Sequence, residues 1–401
     1  MMLGYGVDLT VDQLARRLVE THGHSVDVWT PTSDGTYEHA PYALRKLYVY
    51  GAPVNRALPL LELNAWIALK KLRQGQVGAA GGRPSREGQE SGRPPAAPTG
   101  KGAPTEAYDL VIPCTHPYYG AGAALGVPGV FFNFGNVPTT GFTWKGRLNW
   151  QWLEFSDEFL WKPRSACVLS ISRFLHQQQR QEIQARGRVL HLGGDHYAWP
   201  LALDAPERVE ARLKFRLDYG LPPRSVVLGF CGRLHRDHPP YKGTAKLLEL
   251  ARRLRSVAPD AVVALCGIGS TADAQWVRDA GAVPLLNLPP GLMPQFYNAL
   301  DAYVCASEWE GFNLPLVEAA WHGVPGIAYD VGAHGEHVTS VLIPPGPAQF
   351  DDLSRAALSL VRDPVLRQRL GRQAFQRAQP FNWDNAARQF DALVRELAGE
   401  H

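Results

Sequence analysis

The sequence has no run of about 18 or more apolar residues, so nothing in it reads as a transmembrane helix. Net charge is also small: 41 Lys and Arg stand against 38 Asp and Glu, leaving +3. A balance so slight gives no electrostatic footprint for a nucleic-acid partner. Cysteine is scarce. Cys114, Cys167, Cys231, Cys266 and Cys305 are dispersed, odd in number and lack metal-ligand spacing, which speaks against a disulfide framework or a zinc cluster. The opening Met-Met-Leu-Gly-Tyr-Gly lacks the charged and apolar regions of a secretory signal. Together these absences predict a cytoplasmic protein with reduced, buried thiols. What is present fits that expectation. With 401 residues, 45% of them hydrophobic and 20% charged, the chain has enough material for two domains, each with its own core.

Val7, Val11, Leu14 and Leu18 recur at helical spacing, and Gly23 ends that helix before a strand at Ser25 to Trp29. Another helix is expected around Leu60 to Arg73. Residues 74–106 hold eight Gly and five Pro, no aromatic residue and one large aliphatic, Val77. Such a stretch cannot bury enough apolar surface to offset its ordering entropy and reads as a disordered insertion. Strand character resumes at Asp109 to Pro113, Gly129 to Phe134 and Ala166 to Ser170. In the second half, Val226 to Cys231, Ala261 to Cys266, Val283 to Asn287, Ala302 to Cys305 and Gly326 to Tyr329 are short apolar runs, most of them followed by helical patterns. That alternation predicts a parallel sheet covered on both faces. The pattern pauses around Trp199 to Pro206. The domains are therefore expected at 1–200 and 201–383, with a last helix, 384–401, crossing back to the first.

Ligands of open parallel sheets bind beyond the carboxyl ends of the strands. In the second half the loops at those ends carry Gly232-Arg233, Lys242-Gly243, Gly267-Ile268-Gly269 and Ser307-Glu308-Trp309-Glu310-Gly311-Phe312-Asn313-Leu314-Pro315, with Glu318 in the helix that follows. Two cations, flexible glycines and two carboxylates around one crevice suit a diphosphate attached to hydroxyl-rich sugars. Arginine offers a fork to phosphate oxygens and lysine a compact charge. A helix start at Phe312 to Leu314 adds backbone N–H groups, and Glu318 is expected about two turns inside that helix. Each feature alone is commonplace; the combination, in this order, is specific.

The segment from Glu310 to Glu318, two glutamates seven residues apart, resembles the E-x7-E signature of glycosyltransferase family 4, retaining enzymes of the GT-B fold. Gly232-Arg233 and Lys242-Gly243 resemble that family's phosphate-binding pair. Leu192-Gly193-Gly194-Asp195 is similar to its turn into the interdomain linker, and Asp330 to Glu336 to a later loop. The resemblance implies two facing Rossmann-like domains with parallel sheets and a cleft between them. It further implies a nucleotide-sugar donor (GDP-mannose or UDP-glucose type) and a hydroxyl acceptor. By it, Arg233 and Lys242 neutralise the departing diphosphate, Glu310 positions the donor sugar, and Glu318 binds the ribose. Gly267, Gly269, Gly311, Phe312, Asn313 and Leu314 line the donor site. Gly4 and Gly6 form the glycine loop of the first domain, and His116, in Thr115-His116-Pro117, lies near sugar and acceptor. No Asp-x-Asp triplet occurs, so the reading requires neither metal nor other cofactor, the two cations taking the electrostatic role.

Three features depart from the family pattern. Only Met1, Met2 and Leu3 precede Gly4, where the family has a first strand, and the expectation is a true start further upstream. The loop from Arg233 to Lys242 is long, and His235, Arg236 and His238 within it read as solvated. Phe132-Asn133-Phe134-Gly135-Asn136 stands where many relatives carry another histidine. The apolar Leu60 to Arg73, with its cationic end, suits either a helix packed on the first sheet or peripheral contact with a membrane. Two other functions stay open: a sugar-nucleotide epimerase of the same architecture, and a truncated sugar-nucleotide-binding protein.

Overall fold

The computed structural model describes residues 5–30, 40–46, 69–70, 108–234 and 240–399. Gly4, the insertion at 74–106, nearly all of 60–73 and the three residues His235, Arg236 and His238 lie outside them.

In the first half, α1 (Tyr5–Glu20) precedes β1 (Asp27–Thr30), which pairs in parallel with β2 (Ala43–Lys46). A second parallel sheet joins β3 (Val130–Asn133), β4 (Cys167–Ser170) and β5 (Arg188–Val189). Asp109 to Pro113, expected as a strand, contributes one parallel bridge, Val111 to Gly129, beside β3. Every residue of β3 and β4 is buried, as in sheets covered on both faces. Between these strands runs α2 (Trp144–Ser156), which continues through a π-helical turn at Asp157–Trp161. After β4 comes the short α3 (Arg173–Gln177).

The second half is a six-stranded parallel sheet in the order β11-β10-β9-β6-β7-β8. Its strands are β6 (Val226–Arg233), β7 (Ala261–Ile268), β8 (Val283–Leu286), β9 (Ala302–Cys305), β10 (Gly326–Tyr329) and β11 (Val341–Ile343). Helices α4 (Thr244–Val257), α5 (Thr271–Asp279), α6 (Met293–Ala299) and α7 (Leu314–Trp321) connect β6 through β10 in turn. The chain runs outward from β6 to β8, returns to β9 on the other side of β6, and proceeds outward again. The β6/β9 boundary is therefore the topological switch point, where a crevice opens beyond the strand ends.

Helix α8 (Trp383–Ala398) returns to the first half. Arg17 of α1 meets Asp384 at 2.6 Å, and Arg395 donates to the His22 carbonyl at 3.1 Å. Trp383, fully buried, sits at the junction. Its backbone N–H reaches Asp195 at 2.8 Å, and its indole N–H reaches His196 at 3.0 Å. Removing so large a buried side chain would cost about 3–5 kcal/mol. Among the described residues no helix is long and apolar enough to cross a membrane.

Candidate functional site

Two loops meet at the switch point. Beyond β6, Pro240–Lys242 forms a helical turn into α4. Gly243 follows with φ +68°, where a Cβ would stand 2.1 Å from the Ala306 carbonyl oxygen, so only glycine permits this turn. The loop beyond β9 is fastened to it, the Glu308 N–H donating to the Tyr241 carbonyl at 2.7 Å. This tie brings Lys242 and Glu310 together. The ammonium donates to both carboxylate oxygens, at 2.8 Å each. Glu310 is buried and Lys242 largely so. Burial pulls the Lys242 pKa down, but the Glu310 carboxylate outweighs it and holds the pKa above the ordinary lysine value. The ammonium has three N–H donors, so one remains for an incoming anion. Arg233 ends β6 with its side chain exposed.

Glu310 is held from behind. Gly332 has φ +57°, and a Cβ there would stand 2.0 Å from the Glu310 carbonyl oxygen, which accepts the Ala333 N–H at 3.0 Å. Asn313 adopts φ +70° before α7, and its side chain does not cap the helix. Its amide N–H groups go to His334 Nε2 at 2.8 Å and Cys305 Sγ at 3.3 Å, while His334 Nδ1 donates to the Tyr329 carbonyl at 2.7 Å. Ligand atoms of Cys305, Glu310 and His334 lie within 4.8 Å of one another, close enough for a metal ion. However, Glu310 already holds Lys242, and both nitrogens of His334 are hydrogen-bonded. A cation there would have to displace an ammonium.

Glu318 is the fifth residue of α7, one turn inside the helix rather than the expected two. Its carboxylate is buried, accepts the Tyr297 hydroxyl and lies 3.0 Å from His196 Nε2. Since His196 Nδ1 accepts the Trp383 indole N–H, the imidazole proton is on Nε2, the nitrogen beside the carboxylate. Gly267 and Gly269 lie at the end of β7, and the Gly269 N–H reaches Asn287 Oδ1 at 3.3 Å. Leu314 is buried at the start of α7. Phe312 does not line the crevice with its ring, which joins those of His191, His337 and Phe381. Gly311 and Trp309 lie against Phe134 and Gly135, at the carboxyl end of β3 in the first half. Gly6 falls in the first turn of α1, not in a loop.

His116 follows the segment beside β3, and its Nε2 stands 2.9 Å from Asp157 Oδ1. Tyr119 packs edge-on against the imidazole at 4.7 Å, so the ring is oriented from two sides. Sequence reasoning missed Asp157. The available signal was an acidic residue inside an aromatic-rich helical run, from Trp144 to Trp161. Asn133, where relatives were expected to differ, is used locally: it donates to Ser170 at 3.1 Å and accepts the Gly135 N–H at 3.1 Å.

Glu336, from the loop after β10, reaches across to the first half. Its carboxylate accepts the Arg173 N–H at 2.7 Å and the Phe174 N–H at the start of α3, with His191 Nε2 at 3.3 Å. Burial pushes its pKa up, but His191 and these two N–H groups outweigh that and hold it below the usual carboxylate value.

Residues 225–363 match the family described as Glycosyl transferases group 1. The D-inositol 3-phosphate glycosyltransferase of Pseudarthrobacter chlorophenolicus is 32% identical over 192 residues, 44% of this chain and 44% of that protein. The chain thus aligns with less than half the length of that relative. Two solved structures share the fold along nearly the whole chain. Sucrose-phosphate synthase from Thermosynechococcus elongatus superposes with a TM-score of 0.72 at 19% identity, covering 99% of this chain and 94% of that one. Anabaena HepE in complex with UDP-glucose has a TM-score of 0.68 at 15% identity, covering 98% and 97%. The chain therefore has the GT-B fold, and residues 225–363, which hold the Lys242–Glu310 pair, match the Glycosyl transferases group 1 family.

Proposed function

We propose that this protein is a retaining glycosyltransferase that moves a sugar from a nucleotide-diphosphate sugar to a hydroxyl acceptor. The observation that carries the reading is the Lys242–Glu310 pair at the β6/β9 switch point, with Arg233 at the adjacent strand end. The third N–H of Lys242 and the fork of Arg233 face a diphosphate, while the unfilled lone pairs of Glu310 accept hydroxyls of the transferred sugar. At the start of α7 Pro315 has no N–H and the Leu316 N–H is donated to the Asn313 carbonyl at 3.1 Å, which leaves the Leu314 N–H for the anion. Glu318 would bind the ribose by exchanging part of its contact with Tyr297 and His196. The likeness to D-inositol 3-phosphate glycosyltransferases and to a UDP-glucose complex supports a nucleotide-sugar donor.

In this reaction the bond from the anomeric carbon to the diphosphate oxygen breaks and a bond to the acceptor oxygen forms on the same face. The acceptor proton passes to the departing diphosphate. Negative charge grows on that diphosphate, where Lys242 and Arg233 stabilise it without a metal. His116, oriented by Asp157, stands on the acceptor side.

The test is nucleoside-diphosphate release from UDP-glucose and GDP-mannose, with the anomeric configuration of the product read by NMR. Arg233→Ala should lower turnover at least about tenfold. If neither donor is consumed and no nucleoside diphosphate raises the melting temperature, the reading fails.

A further inference from the structure

Helix α2 and its π-helical continuation bury one face and carry a row of large apolar side chains on the opposite, exposed one. One face packs inward: Leu153, Ser156 and Asp157 are buried, and Trp161 packs on a buried cluster of the first half. The other carries Trp144, Leu148, Trp152, Phe155 and Phe159. Trp144 is 68% exposed, Leu148 55%, Phe155 47% and Phe159 54%. At about 100° per residue these five fall within roughly 80° of arc, a single stripe about 22 Å long. Within it, Trp152 and Phe155 lie 5.8 Å apart, and Phe155 and Phe159 5.1 Å. The four most exposed members join no buried hydrophobic cluster among the described residues. Their exposed area is on the order of 400–500 Å², at or above the largest apolar patch usual on a monomer.

Cations border the stripe. Lys145 and Arg147 lie on its two sides at one end, and the Lys145 ammonium sits 5.5 Å from the Trp144 ring. At the other end Arg164 is exposed, and the Arg180 guanidinium lies 5.3 Å from the Phe159 ring. Glu154 is an exposed acid beside the stripe, Glu158 is paired with the buried Lys162, and the exposed Glu182 lies 3.3 Å from Arg180. A convex row of large apolar side chains does not enclose a sugar. Its length, aromatic content and cationic border match the interfacial layer of an anionic bilayer, where rings enter the acyl boundary and lysine or arginine meets lipid phosphate.

We infer that the outer face of α2 is a membrane-docking surface for anionic lipid. Because Asp157, on the inner face of the same helix, holds His116, docking would set the first half's strand ends close to the bilayer. The inference concerns where the protein binds and stands apart from the sugar it transfers.

The test is co-sedimentation of the full chain with vesicles of phosphatidylcholine, alone or with about a third phosphatidylglycerol. Binding should be about tenfold stronger to the mixed vesicles and should weaken with salt. The triple variant Trp144→Ser, Phe155→Ser, Phe159→Ser should lose at least about tenfold in partitioning, since each ring contributes separately. Vesicle-free release of nucleoside diphosphate should be unchanged in that variant, so a defect in docking is read independently of the donor site. The inference is overturned if the unaltered chain ignores the mixed vesicles, or if the triple variant binds them equally well. It is also overturned if light scattering shows a dimer that the triple variant dissociates, because the stripe would then face a second copy.

Discussion

Replacing Glu310 by Gln keeps the shape of the side chain and one acceptor oxygen but removes the charge that Lys242 faces. Both contacts are 2.8 Å, and the side chains are 6% and 25% exposed. At an effective dielectric of about 20, attraction between charges at that separation is about 6 kcal/mol. Water reaches part of Lys242, and glutamine still accepts one hydrogen bond, so a net destabilisation of about 1–3 kcal/mol follows. That lowers the melting temperature by roughly 2–12 °C. The larger effect is on turnover. Removing one preorganised group from such a site costs about 10²–10³-fold. A third readout separates a site role from a structural one. In the variant the ammonium has no carboxylate partner, so a bound diphosphate is worth more to it, and the shift in melting temperature caused by a nucleoside diphosphate should equal or exceed that of the unaltered protein. Scanning fluorimetry with and without UDP or GDP, paired with a release assay, gives all three numbers. Turnover within about threefold of the unaltered protein would refute the role of Glu310. Loss of the diphosphate shift would refute the placement of phosphate against Lys242.

Asp157→Asn should lower turnover about 10–100-fold and move the acidic limb of the pH–rate profile, with little change in donor KM, because it acts by orienting His116; an unchanged profile would leave Asp157 a purely structural residue. Stability should fall as pH drops from about 6.5 toward 4. Burial holds His322 down to about 3 and His337 to about 4, each donating Nε2–H to a carbonyl, from Tyr197 and Phe312 respectively. In that window the unfolded chain binds two more protons than the folded one, so the slope approaches about 2.7 kcal/mol per pH unit. Urea midpoints between pH 4 and 7 measure it, and His337→Gln should about halve the slope; a flat profile would contradict the buried neutral imidazoles.

The second half was legible because its central strands are buried on both faces and read as unbroken apolar runs. Val226–Arg233 and Ala261–Ile268 extend the expected segments by two residues each, and Ala302–Cys305 and Gly326–Tyr329 coincide with them. The first half was harder. Ala43–Lys46 reads Ala-Leu-Arg-Lys, two apolar residues and then two cations, so no alternation marks it as a strand. Helix α2 gave no helical signal because Ser156 and Asp157 are buried while Trp144, Leu148, Phe155 and Phe159 are exposed, which erases the amphipathic pattern of a surface helix.

Chemical identity was encoded locally. The types and order of Arg233, Lys242, Glu310 and Glu318, and the glycines beside them, are properties of the chain, three of them at or beyond strand ends and Glu318 in α7. Partnership was not. Lys242 meets Glu310 only because strand order sets β6 beside β9, and Glu318 turns to Tyr297 and His196 only because α7 packs under the returning chain. His116 acquires Asp157 from a helix some forty residues away, and Glu336 spans both halves of the molecule. Pairings between distant residues depend on how sheets and helices stack, and no local pattern of residues records that.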